Sequence, residues 1–159
     1  MIRAARLDEG PRLKEIAIAA KSHWGYERAR VLRWADDGDF SPGGLAKLVV
    51  FVAEAEGVVV GSVRFWIVAG VCVIRLLSVS PAHQSQGIGK ALIREIELVA
   101  TNAHKFFACT MLRTARNIHL FMSLGYKAES ILPDHYNHLD LICFAKYRES
   151  MTNATPSPT

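Results

Sequence analysis

Apolar positions change their spacing along the chain from steps of three and four to every second residue and back, and those changes mark out the elements. Ile2 to Arg6 is long enough for one short strand. Leu13, Ile16, Ala17 and Ala20 then fall on one face of a helix, with Asp8 placed to cap it and Pro11 in its first turn. Gly25 interrupts that helix, and a second is predicted from Tyr26 to about Asp37. Asp36 to Gly44 is rich in turn-forming residues and reads as a loop. Lys47–Ala55, Val58–Val68 and Val71–Leu77 are dominated by β-branched and aromatic residues and read as three strands. Glu56-Gly57 and Ala69-Gly70 have the chemistry of tight hairpin turns. Pro81 ends the third strand because it has no amide hydrogen for a sheet ladder. Ile88, Leu92, Ile96, Val99 and Ala103 then make one helical stripe. Lys105 to Leu112 is another apolar strand. Thr114 can cap a helix that carries Ala115, Ile118, Phe121 and Met122 on one side and stops at Gly125. Tyr126–Leu132 and Leu139–Lys146 close the order β-α-α-β-β-β-α-β-α-β-β.

A chain of 159 residues, half of them apolar, suits one globular domain with a substantial core. Arg64 and Arg75 break the two longest apolar runs, so no membrane span is expected. The first residues lack the apolar core of a signal peptide. Cys72, Cys109 and Cys143 each lie in an apolar, strand-like run; they read as buried thiols in a reducing cytoplasm, and their spacing suits no zinc site. The 19 basic and 15 acidic residues are scattered, apart from Lys90/Arg94 and Arg113/Arg116. A nucleic-acid surface would cluster its charge among aromatics, so that class ranks last. From Glu149 onward the polar, proline-containing tail is expected to be disordered.

The candidate chemistry lies where the third strand meets the long helix. Ala82 to Gln86 is a polar turn, and Gly87-Ile-Gly89 opens the helix. The first amides of a helix have no partner within it and sit at the positive end of its dipole. Glycine there lets an anion approach the backbone. Lys90 and Arg94 stand near a helix start, where cations are poorly placed unless an anion is bound. The alternative is a tight turn whose glycines merely permit positive φ. A Walker loop fails, because Gln84 stands where its first glycine would be and Ala91 follows Lys90. A dinucleotide fingerprint fails because Leu92 occupies the third glycine position.

What remains, Gln84-x-x-Gly87-x-Gly89 after Leu77-Ser-Val-Ser-Pro81, resembles the [Arg/Gln]-x-x-Gly-x-[Gly/Ala] signature and lead-in of the GNAT N-acetyltransferase superfamily. Phe121-Met-Ser-Leu-Gly-Tyr126 is similar to that family's Tyr-x-x-x-Gly-[Phe/Tyr] motif. The resemblance runs over residues 2 to 147. It implies a single-domain α+β GNAT fold over residues 1–148, with a mixed, mostly antiparallel central sheet and helices on both faces, followed by a tail over 149–159. It implies acetyl-CoA as acetyl donor, held by Leu77, Ser78, Val79, Gln84, Ser85, Gln86, Gly87, Ile88, Gly89, Lys90, Asn117 and Phe121. A backbone N–H at Leu77 would hold the oxyanion that forms on attack.

The implied reaction moves the acetyl group to a primary amine of a small molecule or peptide, in the cytoplasm, without nucleic acid, membrane or metal; a homodimer is compatible with it. Trp24, Tyr26 and Trp66, with Trp34, are candidates for an aromatic acceptor pocket, or equally for core packing. An alkylamine with a pKa near ~10.4 must lose a proton before it can attack. The strand Val71–Leu77 carries no carboxylate, which leaves Glu54, His23, His138 and Asp140 as candidate bases. Phe121 stands where the family commonly has a tyrosine, and Thr114 where asparagine is frequent. Phe121 and the missing strand carboxylate support a second reading, a non-catalytic acyl-CoA sensor.

Overall fold

The structure is a computed structural model that describes residues 1–149. The tail expected to be disordered lies, from residue 150 on, outside the described residues. Seven strands form one sheet: β1 (Ile2–Ala4), β2 (Val49–Ala55), β3 (Val58–Val68), β4 (Val71–Val79), β5 (Lys105–Met111), β6 (Lys127–Tyr136) and β7 (Leu139–Tyr147). Their order is β1-β2-β3-β4-β5-β7-β6, and only β4–β5 is parallel. The helices are α1 (Gly10–His23), α2 (Arg28–Asp37), α3 (Pro42–Lys47), α4 (Ile88–Val99) and α5 (Ala115–Ser123). This is the α+β architecture expected from the sequence, with one short helix added.

The period of two along β2 assigns its two faces. Val50 and Val52 pack with Leu13, Ile16 and Leu45 beneath α1 and α3. Phe51 and Ala53 belong to the larger core with Leu92, Ile93 and Ile96 of α4. Burying each of those three α4 side chains stabilises the fold by roughly 1.5–3 kcal/mol. Both hairpin turns form as their sequences require: Glu56, Gly57, Ala69 and Gly70 all take positive φ, which matches the twist of the flanking strands.

Several local expectations are corrected. The turn Leu7–Glu9 is 3-10, and Glu9 rather than Asp8 stands at the N-cap of α1. The carboxylate of Glu9 instead accepts from Arg3, at 2.6 and 3.0 Å, and from the Arg6 amide. The glycine-rich loop contains α3, because the Ser41 hydroxyl accepts from the Gly44 amide and Pro42 begins the helix. Behind it, buried Arg64 of β3 donates to the carbonyls of Gly38 and Asp39 and lies 4.6 Å from the centre of the Phe40 ring. Helix α4 stops at Val99, so the buried stripe is Gly89, Leu92, Ile93 and Ile96; Val99 is exposed, and Ala103 packs inward from the following turn. Met122 is 61% exposed, because Phe121 alone of α5 points fully into the core.

The cysteines also divide differently from the expectation. Cys109 and Cys143 face each other across β5 and β7 and are joined as a disulfide. Their register makes them cross-strand neighbours, which their separation of 34 residues conceals. Cys72 is a buried thiol, and burial pushes its pKa up to about 11. The disulfide removes cysteine usage as an argument for a reducing compartment.

Two outcomes follow. Arg3, by its hydrogen bonds first, holds the Glu9 carboxyl below the ordinary carboxylate range. That stabilisation is present above the unfolded pKa, near ~4.3, and is lost as pH falls through the folded value. Glu9→Gln should lower the melting temperature at pH 7, and the difference from the parent should begin to shrink as pH drops below about 4 and vanish only below the depressed folded value. Iodoacetamide on the denatured, unreduced protein should add one group, at Cys72, and three after reduction; mass spectrometry reads both, and three groups without reduction would exclude the disulfide.

Candidate functional site

The parallel ladder between β4 and β5 is short. It joins Val71–Ile74 to Lys105–Ala108 and then ends. Beyond it β5 continues to pair with β7 through Met111, while β4 continues beside β3 to Val79. A wedge opens between Arg75–Val79 and Cys109–Met111. The cause lies in β4. Ser62 pairs with Ser78 and Arg64 with Arg75, so Leu76 and Leu77 together oppose Val63 as a β-bulge. Leu76 sits at φ +53°, which costs a non-glycine residue about 1–2 kcal/mol. Packing of Leu77 against the α4 side of the core helps to hold that conformation. Nothing in the sequence marks Leu76, since a bulge is ordinarily betrayed by glycine.

The wedge is the floor of a cavity of about 750 Å³. At one end the chain passes from β4 through a 3-10 turn, Pro81–His83, to the loop before α4. Ser85 and Gly87 take positive φ there, and Gly87 is the N-cap of α4. A Cβ on Gly87 would meet nothing within 4 Å, so its open side faces free space. Among the described residues, the amides of Ser85 to Lys90 donate to no carbonyl or side chain. Six consecutive free donors at a helix start form an anion cradle. Gln84 braces it: Nε2 donates to the Val79 carbonyl at 3.0 Å, and Oε1 accepts from Arg116 at 2.8 Å. A Cβ on Gly89 would lie 2.8 Å from Leu120, so that glycine serves close packing of α4 against the cavity wall.

Helix α5 forms the next wall. Asn117 Nδ2 donates to Thr110 Oγ1 of β5 at 3.1 Å. Thr114 makes no side-chain cap; its hydroxyl instead shares a 3.0 Å hydrogen bond with that of Tyr26, and both residues are buried. Phe121 is stacked on Phe144 at 5.7 Å and presents only an apolar surface to the cavity. The hydroxyl of Ser123 bonds to the Leu120 carbonyl, and that of Tyr126 to Glu97. Neither residue lines the cavity.

At the other end, α1, α2 and the β6–β7 hairpin bring aromatic rings together. Trp34 stacks on Tyr136 at 5.9 Å and meets Tyr26 edge-on at 5.0 Å. Trp24 completes the wall beneath Arg116, 5.2 Å from its ring centre. Lys21 places its ammonium 5.3 Å over Trp34, and burial holds its pKa below the ordinary lysine range.

Of the residues singled out in the sequence, Leu77, Ser78, Val79, Gln84, Ser85, Gly87, Ile88, Gly89, Lys90, Asn117 and Phe121 all border this one cavity, as do Trp24 and Tyr26. Gln86 does not line it; its side chain turns back to the Ala82 carbonyl at 3.4 Å. Trp66 lies on β3 opposite Val73, away from the cavity. None of the four candidate bases lines it. Glu54 is bound to Arg3, His138 to Asp134, Asp140 accepts from the Asp134 amide, and His23 packs on the outer side of Trp24. The lining contains no carboxylate at all, and its imidazoles belong to His83, His119 and His135. Lys21, Arg75 and Tyr136 were not legible as site residues, because only the packing of three separate elements brings them together.

Residues 46–128 match the family model of the acetyltransferase (GNAT) domain. The PaiA N-acetyltransferase of Thermoplasma acidophilum, solved with coenzyme A, superposes with a TM-score of 0.80 at 16% identity, over 93% of this chain and 98% of its own. A ribosomal-protein-alanine N-acetyltransferase of Brucella melitensis gives 0.70 at 22% identity, over 93% and 99%. YncA of Salmonella typhimurium, solved with its cofactor acetyl-CoA, gives 0.68 at 24% identity, over 98% of both chains. These likenesses establish a shared fold. No curated protein matches the chain.

Proposed function

The chain belongs to the GNAT acetyltransferase family, and from that premise we propose that it is an N-acetyltransferase that moves the acetyl group of acetyl-CoA to a primary amine in a ternary complex. One observation carries the reading: six unpartnered amides, Ser85 to Lys90, stand at the mouth of a wedge that leads to a bulged strand. The amides and Lys90 fit a diphosphate. The free edge of β4 from Leu77 to Val79 fits the amide-bearing arm that follows it, and Asn117 and Phe121 close the opposite wall. Acetyl-CoA supplies a thioester, an acyl donor with a good leaving group.

The bulge at Leu76–Leu77 turns backbone polar groups toward the wedge, and the Leu77 amide is the one we assign to the thioester oxygen. At neutral pH about one alkylamine in two thousand is uncharged. With no carboxylate in the lining, deprotonation falls to an imidazole or to water. His83 lines the cavity, its buried Nδ1 has no partner among the described residues, and it is the imidazole we assign to that task. Phe121 donates no proton to the departing sulfur, and a thiolate with a pKa near ~8.5 leaves without one. Phe121 and the carboxylate-free lining also favour a second reading, an acyl-CoA sensor without turnover. The reaction fits a cytoplasmic setting; among the described residues no helix is long and apolar enough to cross a membrane.

Saturating acetyl-CoA should raise the melting temperature by roughly 5–10 °C. Ser85→Asp places a carboxylate at the cradle without touching the packing around Gly89. It should weaken coenzyme A binding at least tenfold while the apo protein stays folded; unchanged affinity would move the diphosphate elsewhere. Thiol release across a panel of primary amines separates the two readings. Turnover supports the enzyme, and cofactor binding with no release from any amine supports the sensor.

A further inference from the structure

The aromatic end of the cavity is cationic and contains no acid. Lys21 and Arg75 line it, and neither makes an ion pair or hydrogen bond among the described residues. Lys21 lies over Trp34, which stacks on Tyr136. Arg75, an exposed residue of β4, and Tyr136 line the same cavity. Arg30 approaches Trp34 as well, at 5.9 Å. Asp37 is the carboxylate that acts on this cluster, and it does not line the cavity. Trp34 is 4% exposed, yet its indole N–H has no partner. A half-buried ammonium with no counter-charge is costly unless an anion arrives to pair with it.

We propose that this end of the cavity is an anion subsite, formed by Lys21 and Arg75, and that the acceptor is a small amine bearing an anionic group, of the amino-acid class. The inference rests on the acetyltransferase reading above. The anion would pair with Lys21 and Arg75, leaving the amine to face the wedge at Leu77. A polyamine or a lysine-rich peptide would bring further positive charge to a lining that offers Lys21, Arg75, Lys90 and Arg116 and no counter-charge.

The test compares matched acceptors by thiol release. L-alanine, L-methionine and L-phenylalanine are each set beside their α-amide and their decarboxylated amine, with spermidine and 2-aminoethylphosphonate as further arms. The best amino acid should exceed its amide at least tenfold in kcat/KM. Lys21→Met should cut that ratio to below threefold, mainly through KM, with coenzyme A affinity unchanged by calorimetry. Arg75→Met is the second variant should the first not fold. A preference for the phosphonate over all amino acids still supports an anion subsite and replaces the carboxylate in it. Equal use of acids and amides, or a preference for spermidine, overturns the proposal while leaving the transferase reading intact; coenzyme A binding with no use of any arm overturns both the proposal and the transferase reading in favour of the sensor. Loss of coenzyme A binding in the parent protein overturns the transferase reading itself.

Discussion

Everything at the site depends on β4 leaving β5 after Ile74. A parallel pair that ran on to Val79 would satisfy its backbone groups internally and leave no room between the strands. Instead β3 keeps hold of β4 on one side and β7 keeps hold of β5 on the other, while the bulge at Leu76–Leu77 turns β4 out of register. The unsatisfied backbone that results is expensive to leave unpaired in a protein interior. Such groups fit the proposed ligand, which carries amides of its own.

The two ends of that cleft are made by different physics. At the α4 end the recognition elements are main-chain amides, and side chains matter chiefly as bracing. Gln84 ties the end of β4 to Arg116 of α5, so the loop between them is fixed at both edges. At the far end the elements are side chains from α1, α2 and the β6–β7 hairpin, which share no backbone ladder with one another. Their positions are set by ring packing around Trp34 and by buried Arg64, whose guanidinium anchors the segment between α2 and α3 to the sheet. The first kind of site tolerates much sequence change as long as glycine and helix remain. The second is sensitive to each residue, which is why one fold accepts many acceptors.

Hydrophobic spacing and turn chemistry sufficed for most elements. Steps of three and four found α1 and α4, β-branched and aromatic runs found β2 and β3, and Glu56-Gly57 and Ala69-Gly70 marked the two hairpin turns. Three of the misses turn on partners brought together by the fold, whereas α3 rests on the local cap between Ser41 and Gly44. Thr114 stands where a cap belongs, but Tyr26, 88 residues away, takes its hydroxyl. Glu9, rather than Asp8, is drawn into the turn because Arg3 and Glu54 gather there from two strands. Cys109 and Cys143 are neighbours only once β5 and β7 are in register.

By itself the sequence determined the order of elements apart from α3, and the strand-to-helix junction, because both depend on residues near one another along the chain: a strand, a short polar turn, Gly87 and the start of a helix. The tertiary structure alone decided the bulge at Leu76, the disulfide, and the meeting of Lys21, Arg75, Trp34 and Tyr136. Those arise from sheet register and from packing across elements, and register and packing are properties of the folded chain that no local pattern encodes.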